Sequence, residues 1–434
     1  MSKKLFIQTL GCQMNDTDSK HIQAELEKHK GYSATQNIED ADLIIINTCS
    51  VREKPVQKLF SEIGQFNKKK KDGAKIGVCG CTASHLGEDI IKRAPYVDFV
   101  LGARNISKIK DVVDKKGSVE ISIDNDDSQY EFAIANNNNF RTSVNISVGC
   151  DKECTYCIVP STRGDEISIP PQMIVSQIQK AVDNGVVEVA LLGQNVNSYG
   201  KRFSNNADKY SFTQLLQDIS KIDGLKRIRF TSPHPLHMDD DFIEEFARNP
   251  KISKCIHMPL QSGSTKILKA MKRGYTKEWF LNRAFKMREL IPDLRITTDI
   301  IVAFPGETHE DFLDTLDVVK KVGFDNSFMF MYSIRKGTKA ADMDGQIDEE
   351  VKKSRLQRLI ELQNEMSKSA NAPFIGRVEK VLVEGESRKN KEMLTGRTST
   401  NKVVIFKGDI SLAGQFVNVK INDFKTWTLY GDII

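Results

Sequence analysis

The sequence contains no run of 18 or more apolar residues, which is about the length that a helix needs to cross a bilayer. We also expect no export signal, because the apolar stretch after the first two lysines is shorter than such a signal needs. We therefore expect a cytoplasmic protein without a membrane segment. Thiols stay reduced in that compartment, so the 8 cysteines are expected to be metal ligands or catalytic groups rather than disulfides.

The composition is neither that of a disordered chain nor that of a strongly basic one. Hydrophobic residues make up 39% and charged residues 28%, which is typical of a soluble globular protein. A length of 434 residues exceeds what one hydrophobic core fills, so about three domains are expected. The net charge of +5 permits a polyanionic partner without requiring one.

Residues 1–120 alternate between strand-like apolar runs and helical patterns, which predicts a parallel sheet flanked by helices. The runs are LFIQTL, DLIIINT, KIGVCG and VDFVLG. A polar stretch with four consecutive asparagines follows, and we interpret residues 121–140 as a linker.

Residues 141–370 resume the alternation with six strand-like runs, which predicts a partial (β/α)6 barrel with its active site at the carboxyl ends of the strands. Residues 373–434 change to short, alternating, turn-punctuated runs, which predict a small all-β barrel. The overall expectation is an α/β protein with a small C-terminal β-barrel.

Three cysteines, Cys150, Cys154 and Cys157, form a C-x3-C-x2-C motif after the first barrel strand. No other cysteine and no histidine lies within 30 residues on either side, so a closed zinc tetrahedron lacks its fourth ligand nearby. Three thiolates on a 4Fe-4S cluster leave one iron open for a small molecule. A zinc knuckle and an incidental loop of thiols are the alternatives.

Three further cysteines, Cys12, Cys49 and Cys81, each follow one of the first three predicted strands. The carboxyl ends of parallel strands lie at one edge of a sheet, so we expect these thiols to meet and form a second cluster site. The alternative is that they are ordinary small residues at strand ends.

The C-x3-C-x2-C motif, with Tyr156 before its last cysteine, resembles the radical S-adenosylmethionine (SAM) enzymes. The resemblance implies that Cys150, Cys154 and Cys157 hold a 4Fe-4S cluster whose open iron binds SAM. Tyr156 would lie against the adenine, with packing of the loop as its alternative role. Polar residues at later strand ends are candidates for contacting SAM, although each also suits a turn or helix cap: Gln194, Asn195, Gln261, Ser262 and Asp299.

The segments TLGCQMNDTDS, INTCSVREKPVQKLF and VCGCTASHLGE resemble motifs of the methylthiotransferases, which are radical SAM enzymes with an auxiliary 4Fe-4S cluster. Cys12, Cys49 and Cys81 match the ligands of that cluster. The pair Cys-Gly-Cys offers two thiols where one is needed, and the family pattern favours Cys81 over Cys79. Cys255 is interpreted as a core residue.

The resemblance covers the whole chain and includes a C-terminal region similar to the RNA-binding TRAM domain. One or two of five aromatic residues there are assigned to RNA, and the others to the core: Phe374, Phe406, Phe416, Phe424 and Trp427. The segments GCQMN and NTCSVREK resemble the tRNA-acting branch. The implied activity is methylthiolation of carbon 2 of N6-dimethylallyladenosine at position 37 of tRNA, next to the anticodon. The segment YSIRKGTKAAD departs from the family pattern, because Ile334, Lys336 and Lys339 stand where prolines are usual.

The resemblance further implies that one SAM methylates a sulfur on the auxiliary cluster. A second SAM yields the radical that takes the hydrogen from the base. The expected partners are the tRNA anticodon loop and an electron donor such as flavodoxin or ferredoxin, and the expected state is a monomer. Two rival functions remain: the same reaction on threonylcarbamoyladenosine, and a non-catalytic RNA-binding protein with structural zinc.

Overall fold

The computed structural model describes residues 3–49, 53–123, 140–203 and 209–434. The chain forms a parallel sheet with helices, then an open α/β barrel, then a closed barrel of short strands, which confirms the predicted fold class. The domain limits stay a prediction, and most of the predicted linker lies outside the described residues. Within these ranges no helix is both long and apolar enough to cross a membrane.

The N-terminal unit is built on a six-stranded sheet whose neighbouring strands are all parallel. All six residues of its central segment LIIINT are buried, because helices cover both faces of the sheet. Its strands are β1 (Lys3–Leu10), β2 (Tyr32–Ala34), β3 (Leu43–Thr48), β4 (Lys75–Gly80), β5 (Phe99–Gly102) and β6 (Ser118–Glu120), in the spatial order β2-β1-β3-β4-β5-β6. Its helices are α1 (Gln13–Lys30), α2 (Glu53–Lys69), α3 (Cys81–Leu86), α4 (Glu88–Arg93) and α5 (Ile109–Val112).

Three neighbouring strands of this sheet end in the same register. Leu10 of β1 pairs with Thr48 of β3, and Thr48 pairs with Gly80 of β4. Each of these residues is the last of its strand, so the segments that follow leave the sheet side by side.

The central unit is an open barrel of six parallel strands made from two sheets, β7-β10-β11 and β12-β13-β14. A parallel bridge between Ile228 and Ile252 joins the sheets. The six barrel strands are β7 (Arg141–Asn145), β10 (Glu188–Leu192), β11 (Arg227–Phe230), β12 (Cys255–His257), β13 (Arg295–Val302) and β14 (Asn326–Met331). Two short strands, β8 (Ser147–Val148) and β9 (Ile167–Ser168), form a separate sheet. The helices are α6 (Val159–Arg163), α7 (Pro171–Asp183), α8 (Phe212–Ser220), α9 (Asp240–Arg248), α10 (Thr265–Ala270), α11 (Lys277–Leu290), α12 (His309–Val322) and α13 (Glu349–Ser369).

The alternation of buried residues along β13 shows which side chains face the barrel lumen. Ile296, Thr298, Ile300 and Val302 are buried beneath the helices, whereas the intervening residues, including Asp299, are half-buried. This period of two is expected for a strand with one face on the core. Asp299 therefore faces the lumen.

The two short strands β8 and β9 pair antiparallel and close the base of the loop that carries the cysteine motif. Val148 pairs with Ile167, so residues 149–166 form one loop with fixed ends. This pair was not predicted, because two-residue strands leave almost no periodic pattern.

The C-terminal unit is a closed five-stranded barrel docked against the amino ends of the central strands. Its strands are β15 (Val378–Ser387), β16 (Asn390–Arg397), β17 (Val403–Lys407), β18 (Phe416–Phe424) and β19 (Thr428–Ile433). The carbonyl of Ser399 accepts hydrogen bonds from Ser253 Oγ at 2.6 Å and from the Lys254 backbone N–H at 3.1 Å. The carboxylate of Asp325, whose side chain is only 5% exposed, binds Lys402 Nζ and Arg295 Nη1, each at 3.0 Å.

We expect Asp325→Asn to weaken this docking, because it leaves the cations of Arg295 and Lys402 without their partner. The cost of breaking a buried pair on one side is about 3 kcal/mol of unfolding free energy, measured as a lower Tm. Asp293→Asn is the matched control, since its pair with Arg377 crosses the same two units but Asp293 is 67% exposed. That control should cost less than about 1 kcal/mol. Equal losses in both variants would contradict the buried role of Asp325.

Candidate functional site

The register of β1, β3 and β4 brings Cys12, Cys49 and Cys81 together. The thiol of Cys49 lies between the other two and shares hydrogen bonds with both. All eight cysteines of the chain are free thiols. Three residues separated by up to 69 positions in sequence therefore form one cluster of sulfur atoms.

Two of these three thiols are in positions that favour the thiolate form. The hydrogen bond with Cys49, aided by the Arg163 charge, lowers the pKa of Cys12 to about 6. The same kind of bond lowers the pKa of Cys81 to about 7, whereas the two bonds raise the pKa of Cys49 far above its ordinary value. Cys12 caps the amino end of α1 and Cys81 begins α3, where helix dipoles also favour negative charge.

Cys79 lies on β4 and points into the hydrophobic core on one face of the sheet. It is 0% exposed, and burial raises the pKa of its thiol well above the ordinary value. Its position agrees with the choice of Cys81 over Cys79, although the ligand roles themselves stay predictions.

The chemistry around the three thiols suits an iron–sulfur cluster. Buried hydroxyl groups of Thr48 and Thr82, next to Cys49 and Cys81 in the chain, have no hydrogen-bond partner among the described residues. The Asn15 amide oxygen accepts from Cys12 Sγ at 3.4 Å. No group of three or more Cys, His, Asp or Glu in the described ranges has the geometry of a single-ion site, but each thiolate of a cluster binds a different iron.

The barrel thiols Cys150, Cys154 and Cys157 lie in the loop closed by β8 and β9. The backbone N–H of Cys157 donates to the carbonyl of Cys154 at 3.0 Å, and the N–H of Cys150 donates to the carbonyl of Gly164 at 3.1 Å. Burial raises the pKa of Cys150 to about 12 and that of Cys157 to about 11. Metal binding at these thiols therefore requires that they lose their protons on coordination.

Arg273 fixes this loop and was missed by the sequence analysis. Its guanidinium, 5% exposed, donates to Cys154 Sγ at 3.2 Å, to Tyr156 Oη at 3.4 Å and to the carbonyl of Pro259 at 3.2 Å. The only sequence signal is an arginine before glycine at the end of α10. Nothing in that local pattern indicates its partner 119 residues away.

The unusual residue Lys339 also contacts the loop. Its Nζ binds the Glu153 carboxylate at 3.0 Å, and Lys272 binds the same carboxylate at 2.7 Å. The backbone N–H of Ala340 donates to the carbonyl of Thr155 at 2.8 Å. The segment that departs from the family pattern is thus tied to the cysteine loop.

A cavity of about 860 Å³ opens beside Cys157 and reaches along β13 and β14. Three of the predicted SAM-contacting residues, Tyr156, Gln261 and Asp299, line it. Gln261 has a φ of 71°, a left-handed conformation that costs energy in a residue with a side chain. Asp299 also lies 3.2 Å from His257 Nε2. The rest of the wall is mixed: Ile301, Met329 and other apolar side chains line it together with Arg335, Glu349 and Lys352.

The other three predicted SAM-contacting residues do not line this cavity. Gln194 accepts from the backbone N–H of Gly149 and donates to Met14 Sδ, which joins the cysteine loop to the N-terminal unit. Ser262 is buried and accepts from the N–H of Ser264 at 3.2 Å. The amide oxygen of Asn195 is buried and has no partner among the described residues.

A second cavity, of about 710 Å³, lies between all three units. Its walls are α1 and β1 on one side, the lumen faces of β7, β10 and β11 on the other, and Arg397 of the C-terminal barrel. It is lined by four cationic side chains and two carboxylates: Lys20, Arg141, Arg229, Arg397, Asp16 and Glu188. Arg141 and Arg397 both pair with Glu384, and Arg229 lies 3.7 Å from Glu188, so Lys20 is the lining cation best placed to meet an anionic ligand.

Of the five candidate aromatic residues in the C-terminal unit, Phe374 and Phe406 are in its core at 2% and 0% exposure. Trp427 is 49% exposed. Stacking on a nucleotide base requires an accessible ring, so Trp427 is the better candidate for contacting RNA.

Comparisons with known proteins give the same three units. The uncharacterized protein family UPF0004 matches residues 4–102, the radical SAM superfamily matches residues 144–319 and the TRAM domain matches residues 374–434. A solved radical S-adenosylmethionine methyltransferase, TsrM from Kitasatospora setae, with cobalamin and a 4Fe-4S cluster bound, superposes with a TM-score of 0.58 at 11% identity, over 79% of this chain and 74% of that chain. That likeness concerns the fold alone.

The chain is similar along its whole length to curated relatives. It is 71% identical to the tRNA-2-methylthio-N(6)-dimethylallyladenosine synthase of Aliarcobacter butzleri, over 100% of this chain and 99% of the relative. It is 57% identical to the protein of the same name from Nitratiruptor sp., over 100% of both chains.

We expect Cys81→Ala and Cys79→Ala to differ in bound iron after anaerobic purification. Two 4Fe-4S clusters correspond to about eight iron atoms per chain, so loss of a ligand to one of them removes about half. Cys81→Ala should lose that half, because its sulfur lies in the thiol cluster. Cys79→Ala should keep its iron, and the reverse pattern would show that Cys79 is the ligand.

Proposed function

The chain belongs to the tRNA-2-methylthio-N(6)-dimethylallyladenosine synthase family, and we propose that it adds a methylthio group to carbon 2 of N6-dimethylallyladenosine at position 37 of tRNA, next to the anticodon. It is a radical SAM enzyme with a TRAM domain. The observation that carries the proposal is the convergence of two sets of three thiols at one interface between the N-terminal unit and the barrel.

The two sets approach each other through α3 and α6. Cys81 begins α3, and α6 starts two residues after Cys157. The two helices pack together, and Arg163 of α6 donates from Nε to Cys81 Sγ at 3.1 Å. Two cluster sites on these packed segments would be neighbours, which a reaction joining sulfur from one site to a radical from the other requires.

Carbon 2 of the base bears a hydrogen without acidity, so a general base among the side chains has no proton to remove. When bound, SAM and the two 4Fe-4S clusters supply the electron, the radical and the sulfur for this substitution. We propose that Cys150, Cys154 and Cys157 hold the SAM-binding cluster, and that Cys12, Cys49 and Cys81 hold the auxiliary one.

The residues of the larger cavity support SAM binding next to Cys157. Tyr156, held by Arg273, presents its ring to the cavity, while Gln261 and Asp299 supply polar groups. Ile301, Met329 and other apolar side chains form part of the remaining wall, and Arg335, Glu349 and Lys352 add charged groups to it. The polar and charged groups can orient a zwitterionic ligand, while the apolar side chains exclude water from a reactive radical.

The second cavity is our proposed entrance for the RNA. Its exposed Lys20 can neutralise a phosphate, and such neutralisation is the main source of affinity for nucleic acids. Position 37 lies in a loop, so the adenosine can leave its stack and reach the barrel lumen at moderate cost. We also expect flavodoxin or ferredoxin as electron donor and a monomeric enzyme.

The direct test uses purified enzyme, SAM, a reductant and two tRNA substrates under anaerobic conditions. One substrate carries N6-dimethylallyladenosine and the other carries threonylcarbamoyladenosine. We expect 2-methylthiolation of the first alone, with formation of 5′-deoxyadenosine. The variant with Cys150, Cys154 and Cys157 replaced by alanine is the control and should form neither product.

Two outcomes would contradict the proposal, and each would support one of the alternative functions. Methylthiolation of the threonylcarbamoyl substrate alone would assign that nucleoside as the target. A colourless protein that contains zinc, lacks iron and forms no 5′-deoxyadenosine would indicate a non-catalytic RNA-binding protein.

We expect Lys20→Ala to weaken tRNA binding several-fold. Lys20 lines the proposed RNA entrance and forms no ion pair within the described residues, so its charge is available to a phosphate. Loss of one phosphate contact should reduce the dependence of log Kd on log salt concentration by about one. Lys28→Ala is the control, because Lys28 is on the same helix outside this cavity. Equal weakening by both variants would argue against this entrance.

A further inference from the structure

Arg163 makes a buried connection between the barrel loop and the N-terminal thiols. It lies six residues after Cys157, at the end of α6, and its side chain is 4% exposed. Its Nε donates to Cys81 Sγ at 3.1 Å, and its Nη2 donates to Asp18 Oδ2 at 2.7 Å. The guanidinium thus spans a carboxylate and a cysteine sulfur of the other unit.

Asp18 is the anchor of this contact. It lies on α1, the helix capped by Cys12, and its side chain is 6% exposed. Burying an arginine and an aspartate costs several kcal/mol per ion unless both are well paired, so the pair must be held in one geometry by its surroundings. The fixed fork of the guanidinium then directs its second N–H group at Cys81.

The backbone beside Arg163 belongs to the barrel cluster loop. The carbonyl of Gly164 accepts from the N–H of Cys150 at 3.1 Å. Gly164 has a φ of +69°, which favours glycine after Arg163. Two consecutive residues therefore serve the two sets of thiols: Gly164 closes the loop around one set, and Arg163 contacts the other.

We propose that Arg163 is a positioning residue for the auxiliary cluster, and that its hydrogen bond to the Cys81 sulfur and its positive charge raise the reduction potential of that cluster. This inference rests on the proposed function, because it requires a cluster at Cys12, Cys49 and Cys81. Hydrogen bonds to sulfur and nearby charge are among the factors that set cluster potentials. A cation stabilises the more negative, reduced form, so its removal makes the cluster harder to reduce.

The test isolates the auxiliary cluster by replacing Cys150, Cys154 and Cys157 with alanine in the full chain. Iron is then measured, and the midpoint potential is determined by a redox titration followed by electron paramagnetic resonance. In this background we compare Arg163→Gln, which removes the charge, with Arg163→Lys, which keeps it. Arg248→Gln is the control, because it removes an arginine that is 74% exposed on α9.

We expect Arg163→Gln to shift the midpoint to a more negative potential, Arg163→Lys to shift it less, and Arg248→Gln to leave it unchanged. The proposal would also be supported if Arg163→Gln loses iron and Arg163→Lys keeps it, since the lysine retains the charge. An unchanged midpoint in Arg163→Gln with iron retained would overturn it, as would equal loss of iron in both variants.

Failure of the proposed function gives a different result. In that case the background protein itself would bind no iron, before any change at Arg163. If the background protein binds iron but its midpoint potential does not change in Arg163→Gln, the proposed function stands. Only the role of Arg163 is then refuted.

Discussion

The common register of β1, β3 and β4 is the constraint on which the candidate site depends. Side chains along a strand alternate between faces, so a slip of one residue would move every side chain to the opposite face of the sheet and into the other of its two apolar cores. The buried residues of β3 and β4 are packed between two layers of helices, which makes such a slip costly. Packing of the apolar core therefore fixes the strand register, and the register fixes where each strand ends. Cys12, Cys49 and Cys81 follow those ends, so their positions are fixed although none of them lies within a strand.

The same constraint explains why one of two neighbouring cysteines is in the thiol cluster and the other is in the core. Cys79 is still in β4, where its side chain packs on one face of the sheet. Cys81 is past the strand end, at the start of α3, where the chain direction changes. Gly80, with a φ of +93°, makes that change of direction possible. Two residues of separation therefore give these thiols different environments.

The elements and thiol sets that sequence reasoning predicted depend on local patterns. The long apolar runs identify β3, β4 and β13, and the rule that parallel strands end at one edge identifies which cysteines meet. The three-residue strands β2 and β6 were missed because they are too short for a periodic signal.

The polar contacts that hold the site were not accessible to that reasoning. Arg163 is 145 residues from Asp18, and Arg273 is 119 residues from Cys154, so only the folded chain reveals each pair. Position at a strand end also does not determine side-chain direction. Gln261 and Asp299 face the cavity, whereas Gln194 turns towards Gly149 and Met14.

The placement of the C-terminal barrel bears on how RNA would be held under the proposed function. This barrel contacts the amino ends of the central strands, whereas the cysteine loops lie at the carboxyl ends. A strand of eight residues such as β13 spans roughly 26 Å, so the two regions are separated by about the length of the lumen. The buried pair of Asp325 with Lys402, which crosses the two units, opposes rotation of one on the other, and Arg295 of the central unit holds the same carboxylate. The tRNA would therefore meet a fixed frame, in which phosphate contacts at one end orient the loop that delivers its adenosine to the other.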